Sequence, residues 1–490
     1  MNLAEHVLKE RYPGRVALIC GDEQVTRDEL AARVARAAGA LRSLGVQPGE
    51  QVLLVMRDTP EFAAAWLGAV HAGAIAVALN SKLSEVDYSH ILADSGAKVA
   101  VVDETFTAAS AALTTQIRLS VPAWRECLHK AQALPSFDAA PDAPALCLYS
   151  SGTTGRPKGI LHAHRAALSI GEAFRALGIG EGDRVFTTSK FFFAYGMEHG
   201  LLAPLAMGVT AILSADWPDA EAVIGIVERH RPHAIFSVPT IYRRLLAEPQ
   251  RLASFREVRH FVAGGERLSP QLVAQWRAAV GGELLNLYGM SEAFCACIMT
   301  PPGTSDGVRT GKPFAIAEVR LLDAQGREPA PGEPAVLWLR HPAQARGYAN
   351  LAEETRSQFR DGWFCTRDLF VRDGDGFYLH QGRSDELVKV AGQWVWPAEL
   401  EEAALAAGTV AEAVCVPVPD GEGLQRLALF VTALAEADAA RAAATACERL
   451  PRHKRPKWIR AVDELPRTAS GKVQRYKLRE ILERELSRKG

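Results

Sequence analysis

Apolar residues fall into two kinds of run along this chain. Short unbroken runs include "QVLLVMRD" (51–58), "AIAVALN" (74–80), "KVAVVD" (98–103), "HAIFSVPT" (233–240), "VRHFVAGGE" (258–266) and "ELLNLYGMSE" (283–292). They lack polar alternation, so they predict strands buried on both faces. Longer runs between them carry helical spacing: "TPEFAAAWLGAVHAG" (59–73), "EVDYSHILADSGA" (85–97) and "SPQLVAQWRAAVGG" (269–282). Strands alternating with helices predict a mostly parallel α/β sheet covered on both sides. The apolar stretch 62–79 is rich in Ala and Gly, contains His71 and breaks at Gly73. It reads as a buried helix running into a buried strand, not as a membrane span.

The texture changes after about residue 310. "IAEVRLLDAQGREPAPGEPAVLWLRHP" (316–342) sets Gly/Pro turns between short strands and predicts a small β-rich section. From 384 onward the order is helix, strand, strand, helix, strand, helix, opened by "PAELEEAALAAG" (397–408) and closed by "KVQRYKLREILEREL" (472–486). The charged stretch "QGRSDELVKV" (381–390) reads as the boundary between the two. The fold expected is α/β: a large N-terminal domain, 1–383, and a small mobile α+β domain, 384–490.

Composition narrows this picture little. The 490 residues are 48% hydrophobic and 23% charged, as in an ordinary globular protein of at least two domains. A net charge of −1 gives no long-range attraction to nucleic acid or to anionic membrane. "MNLAEHVLKERYPG" has no apolar signal region, and the eight cysteines show neither a CxxC pair nor zinc spacing, Cys295 and Cys297 included. A reducing, cytoplasmic location with free thiols is expected.

The distinctive chemistry begins at "YSSGTTGRPKGI" (149–160). Gly152, Gly155 and Gly159 let backbone N–H groups approach phosphate oxygens. Ser150, Ser151, Thr153 and Thr154 add hydroxyls, and Lys158 a mobile cation. The Walker pattern fails, because Pro157 stands where its second Gly belongs and Gly159 follows the lysine. On composition alone a phosphate cradle and a polar surface loop stand side by side.

Five further stretches decide between them: "KFFFAYGMEHG" (190–200), "VAGGERL" (262–268), "LYGMSEA" (287–293), the run 362–401 containing "CTRDLF" and "GRSDELVKVAGQWVWPAELE", and "LPRTASGKVQR" (465–475). In this order and spacing the chain resembles the adenylate-forming enzymes, the acyl- and aryl-CoA synthetases and adenylation domains, over nearly its whole length. The resemblance implies two half-reactions. A carboxylate attacks the α-phosphate of Mg-ATP to give an acyl adenylate and pyrophosphate; a thiol, usually coenzyme A, then displaces AMP.

It also implies roles. The loop from Ser150 to Lys158 would cradle the β- and γ-phosphates. Glu292 would hold Mg2+, a hard oxygen donor for a hard ion. Ser291 would meet the α-phosphate, Tyr288 stack on adenine, and Gly264, Gly265 and Glu266 line the base, with Gly289 beside them. Asp368 would accept the ribose hydroxyls, with Arg383 nearby. The family usually has Gly before this aspartate; here it is Arg367. Lys472 would bridge the carboxylate and the α-phosphate during adenylation. Asp385 would be the hinge about which the C-terminal domain turns, bringing Gly392, Gln393 and Trp394 to the CoA side. His162 and His164 are given no role.

"KFFFAYGMEHG" most resembles the Phe-Ala-Tyr-Gly segment of benzoate-CoA ligases. Ala194, Tyr195 and Gly196 would form one wall of the acid pocket, with Gly264 and Gly289 leaving a flat slot and Phe294 toward its far end. Glu198 and His199 replace smaller or neutral residues, which leaves the ring substituents open. The activity expected is that of an ATP-dependent aryl-CoA ligase using ATP, Mg2+ and coenzyme A, acting as monomer or homodimer, with no nucleic-acid or membrane partner. The alternative is a stand-alone adenylation protein that loads an aryl or medium-chain acid onto a carrier protein's phosphopantetheine.

Overall fold

The computed structural model describes residues 1–490 except 10–11, 152–155, 391–392, 422–423, 434–437, 468–472 and 488–490, with Ser151, Trp394 and Ser487 described by backbone alone. The chain divides into two compact units. The first comprises 1–319, 339–365 and 376–378; the second comprises 320–338, 366–375 and 379–490.

The first unit holds a nine-stranded and a seven-stranded sheet. In the nine-stranded sheet, Arg184–Thr187, Ala234–Ser237, His260–Gly264 and Leu284–Gly289 lie side by side and parallel, in that order. Their carboxyl ends therefore share one edge, the edge where open α/β sheets bind ligands. In the seven-stranded sheet, Gln51–Val55, Ile75–Ala78 and Val99–Val102 run parallel, while Pro144–Ser151 and Pro157–Ala163 form a long antiparallel pair. Ile75–Ala78, Val99–Val102 and Ala234–Ser237 are buried at every position, which is why their sequences do not alternate.

The Ala/Gly-rich stretch becomes the helix Pro60–His71, capped by Thr59 and begun by Pro60, and then the strand Ile75–Ala78. Its small residues allow close packing against the helix Arg27–Ser43: a Cβ placed on Gly68 would stand 2.5 Å from the Ala37 methyl. No helix among the described residues is long and apolar enough to cross a membrane.

Six strands occupy 318–383, where the Gly/Pro-punctuated pattern predicts a β-rich section: Glu318–Leu322, Ala335–Arg340, Gly347–Tyr348, Phe359–Arg360, Trp363–Arg372 and Tyr378–Arg383. In the second unit, Val410–Pro419 pairs antiparallel with Gln425–Ala433, and Trp458–Ala461 joins parallel. Period-two alternation splits these strands between two cores. Cys415, Leu427, Leu429 and Val431 pack with Leu400 and Ala443 of the helices Pro397–Leu405 and Ala439–Cys447. Val414, Val416, Ala428 and Phe430 pack with Leu478 and Leu482 of the helix Arg475–Ser487. From 397 onward the element order is the expected one. The sequence pattern missed the antiparallel strands Val388–Val390 and Gln393–Val395, the first of them at the end of the stretch read as a charged boundary.

All eight cysteines are free thiols. Cys147, Cys295, Cys297, Cys415 and Cys447 are buried, whereas Cys20, Cys127 and Cys365 are half-buried.

Candidate active site

Ser150 and Lys158 of the predicted phosphate loop lie in the two strands of the long antiparallel pair. Ser150 faces Lys158 across it, and Ser151 faces Pro157. Gly152, Thr153, Thr154 and Gly155 lie outside the described residues, as do Gly392, Lys472 and the side chains of Ser151 and Trp394. Lys158 is 11% exposed, forms an ion pair with Glu354, and lies 5.9 Å from the centre of the Tyr348 ring.

Tyr288 and Gly289 end the strand Leu284–Gly289, and Gly264 ends its neighbour, facing Leu287. Gly265 and Glu266 follow at the same edge, both exposed. The Glu266 carboxylate accepts from the Thr240 N–H at 3.0 Å and the Thr240 hydroxyl at 2.7 Å, which fixes it beside the helix Pro239–Leu245. The predicted base-lining residues therefore come together on adjacent strands.

The loop that follows, 290–295, carries Ser291 and Glu292, and three contacts tie it to the second sheet. The buried His162 ring reaches the Ser291 carbonyl through Nε2 at 2.8 Å and the Ala343 carbonyl through Nδ1 at 3.0 Å. Burial lowers the His162 pKa to about 4, against both hydrogen bonds. A neutral ring donates through one nitrogen only, so one of these carbonyls at a time receives its proton. The Ala345 N–H donates to the Glu292 carbonyl at 2.7 Å. The Tyr348 hydroxyl donates to Glu292 Oε1 at 3.0 Å. Glu292 itself is partly exposed. No group of three or more His, Cys, Asp or Glu among the described residues could hold a metal ion. A lone carboxylate suits Mg2+, which commonly binds one or two carboxylates and completes its shell with phosphate oxygens and water.

The acid-pocket segment turns after Phe193 into the short helix Ala194–Met197 and then a π-helical turn, Glu198–Leu202. The Tyr195 hydroxyl donates toward the Ser237 carbonyl at 3.2 Å, at the end of another of the parallel strands. Its ring lies so close to Gly264 that a Cβ there would stand 2.9 Å from it. Gly196 has even less room: a Cβ would meet the Lys190 carbonyl oxygen at 2.2 Å. At Gly289 the nearest atom to an added Cβ is Ala296 Cα at 3.2 Å. Phe294 is buried at φ +60°, with its ring centre 5.3 Å from that of His162. Behind Tyr195, His199 stacks on Phe236 with ring centres 4.6 Å apart, and its Nδ1 meets the Tyr195 carbonyl at 2.9 Å. Glu198, also buried, accepts from the Ala296 N–H at 3.1 Å. Burial raises its pKa to about 8 and lowers that of His199 to about 4. Burial thus favours the neutral form of both side chains, whose Glu198 Oε2 and His199 Nε2 stand 3.6 Å apart behind Tyr195.

The ribose-side and hinge residues belong to the second unit. Asp368 lies in the strand Trp363–Arg372, 3.5 Å from Arg383 Nη1 and 3.6 Å from His380 Nε2. Arg383 also donates to both oxygens of Asp385, through Nε and Nη2, each at 2.9 Å. One guanidinium thus joins the two predicted aspartates. Arg367 takes φ +61°, the conformation that favours glycine. The backbone before Asp368 keeps a glycine-like shape although the side chain is arginine. Gln393 lies exposed in the strand Gln393–Val395.

Sequence reasoning passed over Tyr348, Glu354 and Gln358. None forms a distinctive motif, and the pairing of Gly347–Tyr348 with Pro157–Ala163 brings them to Lys158.

This chain belongs to the AMP-binding enzymes: the AMP-binding enzyme family matches residues 4–349, and the AMP-binding enzyme C-terminal domain matches residues 399–472. Among its relatives is a 3-hydroxybenzoate–CoA/4-hydroxybenzoate–CoA ligase of Thauera aromatica, 38% identical over 99% of this chain and 98% of the relative. A solved benzoate CoA ligase of Burkholderia xenovorans LB400 superposes with a TM-score of 0.90 at 34% identity, over 98% of this chain and 100% of the other. An anthranilate CoA ligase solved with anthranoyl-AMP gives 0.89 at 30% identity, over 98% and 97%.

Proposed function

We propose that this protein is an ATP-dependent, AMP-forming aryl-CoA ligase that activates benzoate or a hydroxybenzoate. The observation that carries the reading is the contact between Tyr195 and Gly264. The Tyr195 ring packs against Gly264 at the carboxyl edge of the parallel strands, next to the predicted base-lining residues, and in this reading it is one wall of the acid pocket. The full-length likeness to hydroxybenzoate and benzoate ligases supports it.

In this reading Tyr195, Gly264 and Gly289 hold the ring, and Ser150, Lys158 and Ser291 face the phosphates. Glu292 holds Mg2+, which when bound offsets phosphate charge. Asp368 and Arg383 take the ribose, and Lys472 neutralises charge developing at the α-phosphate. Residues 384–490 act as the mobile domain, turning at Asp385 between the half-reactions.

The test measures AMP released from ATP with benzoate, 3-hydroxybenzoate, 4-hydroxybenzoate, cinnamate or a medium-chain fatty acid, with and without CoA. CoA-dependent turnover with a benzoate bears the reading out. Preference for the fatty acid removes the aryl assignment. Rapid acyl-AMP formation that CoA does not discharge indicates a carrier-protein acceptor.

A further inference from the structure

The segment 347–358 supplies an arrangement that the roles above leave unused. Lys158 is paired with Glu354. The same Glu354 oxygen accepts from Gln358 Nε2 at 3.3 Å. Gln358 Oε1 lies 3.2 Å from the Tyr348 hydroxyl, which lies 3.0 Å from Glu292 Oε1. Tyr348 and Gln358 are each 8% exposed. A line of polar contacts therefore runs from Lys158 to Glu292, with the Tyr348 hydroxyl between two acceptors.

Proton counting along this line shows what it can do. The Gln358 amide must point its NH2 at Glu354, because the reverse would set carbonyl oxygen against carboxylate. Its oxygen then faces Tyr348, and so does the Glu292 carboxylate. One hydroxyl proton is left with two acceptors. While Glu292 is otherwise unneutralised, the ionic acceptor takes the proton. When Glu292 turns its charge to a cation, the hydroxyl swings to Gln358 and is never left unpaired. Glu354 has the same fallback: if Lys158 moves toward a phosphate, Glu354 keeps the Gln358 N–H. A buried polar group left without a partner costs binding energy, and this arrangement avoids that at both ends.

We propose that Tyr348, Glu354 and Gln358 are positioning residues for the phosphate and metal end of the nucleotide site. Tyr348 sets the Glu292 carboxylate, Glu354 sets the Lys158 ammonium, and Gln358 receives whichever partner the ligand displaces. The proposal rests on the reading of Glu292 and Lys158 as ATP-side groups.

The test uses the full chain and three variants: Tyr348→Phe, Glu354→Gln and Gln358→Leu. Calorimetry measures Mg-ATP binding without any acid, and steady-state assays give the constants for Mg2+, ATP and the aryl acid. Losing a hydrogen bond to a charged group predicts roughly tenfold weaker Mg-ATP binding in Tyr348→Phe and Glu354→Gln, and several-fold in Gln358→Leu. The constant for the acid should stay within about twofold. Excess Mg2+ should restore Tyr348→Phe but not Glu354→Gln. Unchanged Mg-ATP binding in all three, or equal loss for ATP and acid, overturns the proposal, since a purely structural role moves both alike. If the wild-type chain binds Mg-ATP but forms no aryl thioester, the proposed function fails; this inference is still judged on the binding data.

Discussion

Two carboxylates in this protein sit in opposite surroundings. Glu198, behind the acid pocket, is 1% exposed, and burial lifts its pKa to about 8 despite hydrogen bonds from the Ala296 N–H and the Cys295 thiol. Asp385, in the proposed hinge segment, is also penalised by burial, but two hydrogen bonds from Arg383 and the charges of Arg383 and Arg367 hold it below its ordinary value. The first region discards charge to make a rigid, dry wall. The second keeps charge and pairs it near water, in a cluster of Arg367, Asp368, Arg383 and Asp385. Ion pairs that water can reach exchange partners more readily than a buried wall repacks, which suits a segment proposed to rotate. A fixed pocket and a moving joint thus call for opposite electrostatics.

The rigid half breaks most severely at Gly196. Gly196→Ala puts a methyl 2.2 Å from the Lys190 carbonyl oxygen, so the wall must shift. The expected loss is about 3 kcal/mol or more of stability, with no residual turnover of aryl acids. Denaturant unfolding and an AMP-release assay check it; a fully active Gly196→Ala would show that the wall is not tight. The mobile half is tested by Asp385→Pro, which fixes φ near −65°. Acyl-AMP should still form in a burst, while thioester formation falls at least about tenfold. Near wild-type rates for both steps would remove the hinge.

A smaller effect separates the two carboxylates by pH. The folded pKa of Glu198 lies above its unfolded value, so its favourable contribution is complete below about pH 4.5 and declines until pH passes about 8. Glu198→Gln cannot ionise. It should therefore gain on wild type as pH rises from 5 to 8.5, by about 1–3 kcal/mol, read from urea unfolding at several pH values. A constant difference across that range contradicts the buried-acid account. His199, with its folded pKa lowered to about 4, works at the other end: its contribution is present above about pH 6.5 and fades as pH falls to 4. The smallest change is Arg367→Gly. Relieving φ +61° should stabilise the chain by about 1 kcal/mol at most, less whatever the 3.8 Å contact with Asp385 contributes. A lower Tm would show that the arginine contributes more through its partners than its backbone costs.

Strands and helices of the first unit were legible because burial on both faces leaves unbroken apolar runs, as at Val99–Val102 and Ala234–Ser237. The strand pair at 388–395 was not. Its strands have three residues each, and Lys389 and Gln393 face water, so no period emerges. Among the proposed site residues, those in compact motifs stood out in the sequence as candidates: Ser150, Lys158, Gly264, Tyr288, Glu292. Tyr348, Glu354 and Gln358 were invisible because their significance is a matter of which strand lies beside Pro157–Ala163, and sequence distance conceals that. Arg367 shows the converse case. The sequence raised the question of a missing glycine, and only the backbone angle answered it.

The distribution of thiols has a practical consequence for watching this protein move. The half-buried cysteines, Cys20, Cys127 and Cys365, all lie in the first unit, and both cysteines of the second, Cys415 and Cys447, are buried. Burial also raises their pKa values, so few thiolates are available there. A maleimide dye added to the native chain should therefore mark the first unit alone. With those three sites replaced by serine, a cysteine introduced on each unit would give a fluorescent ruler with little background. Energy transfer along that ruler would show whether the proposed turn at Asp385 takes place, nucleotide by nucleotide and thiol by thiol.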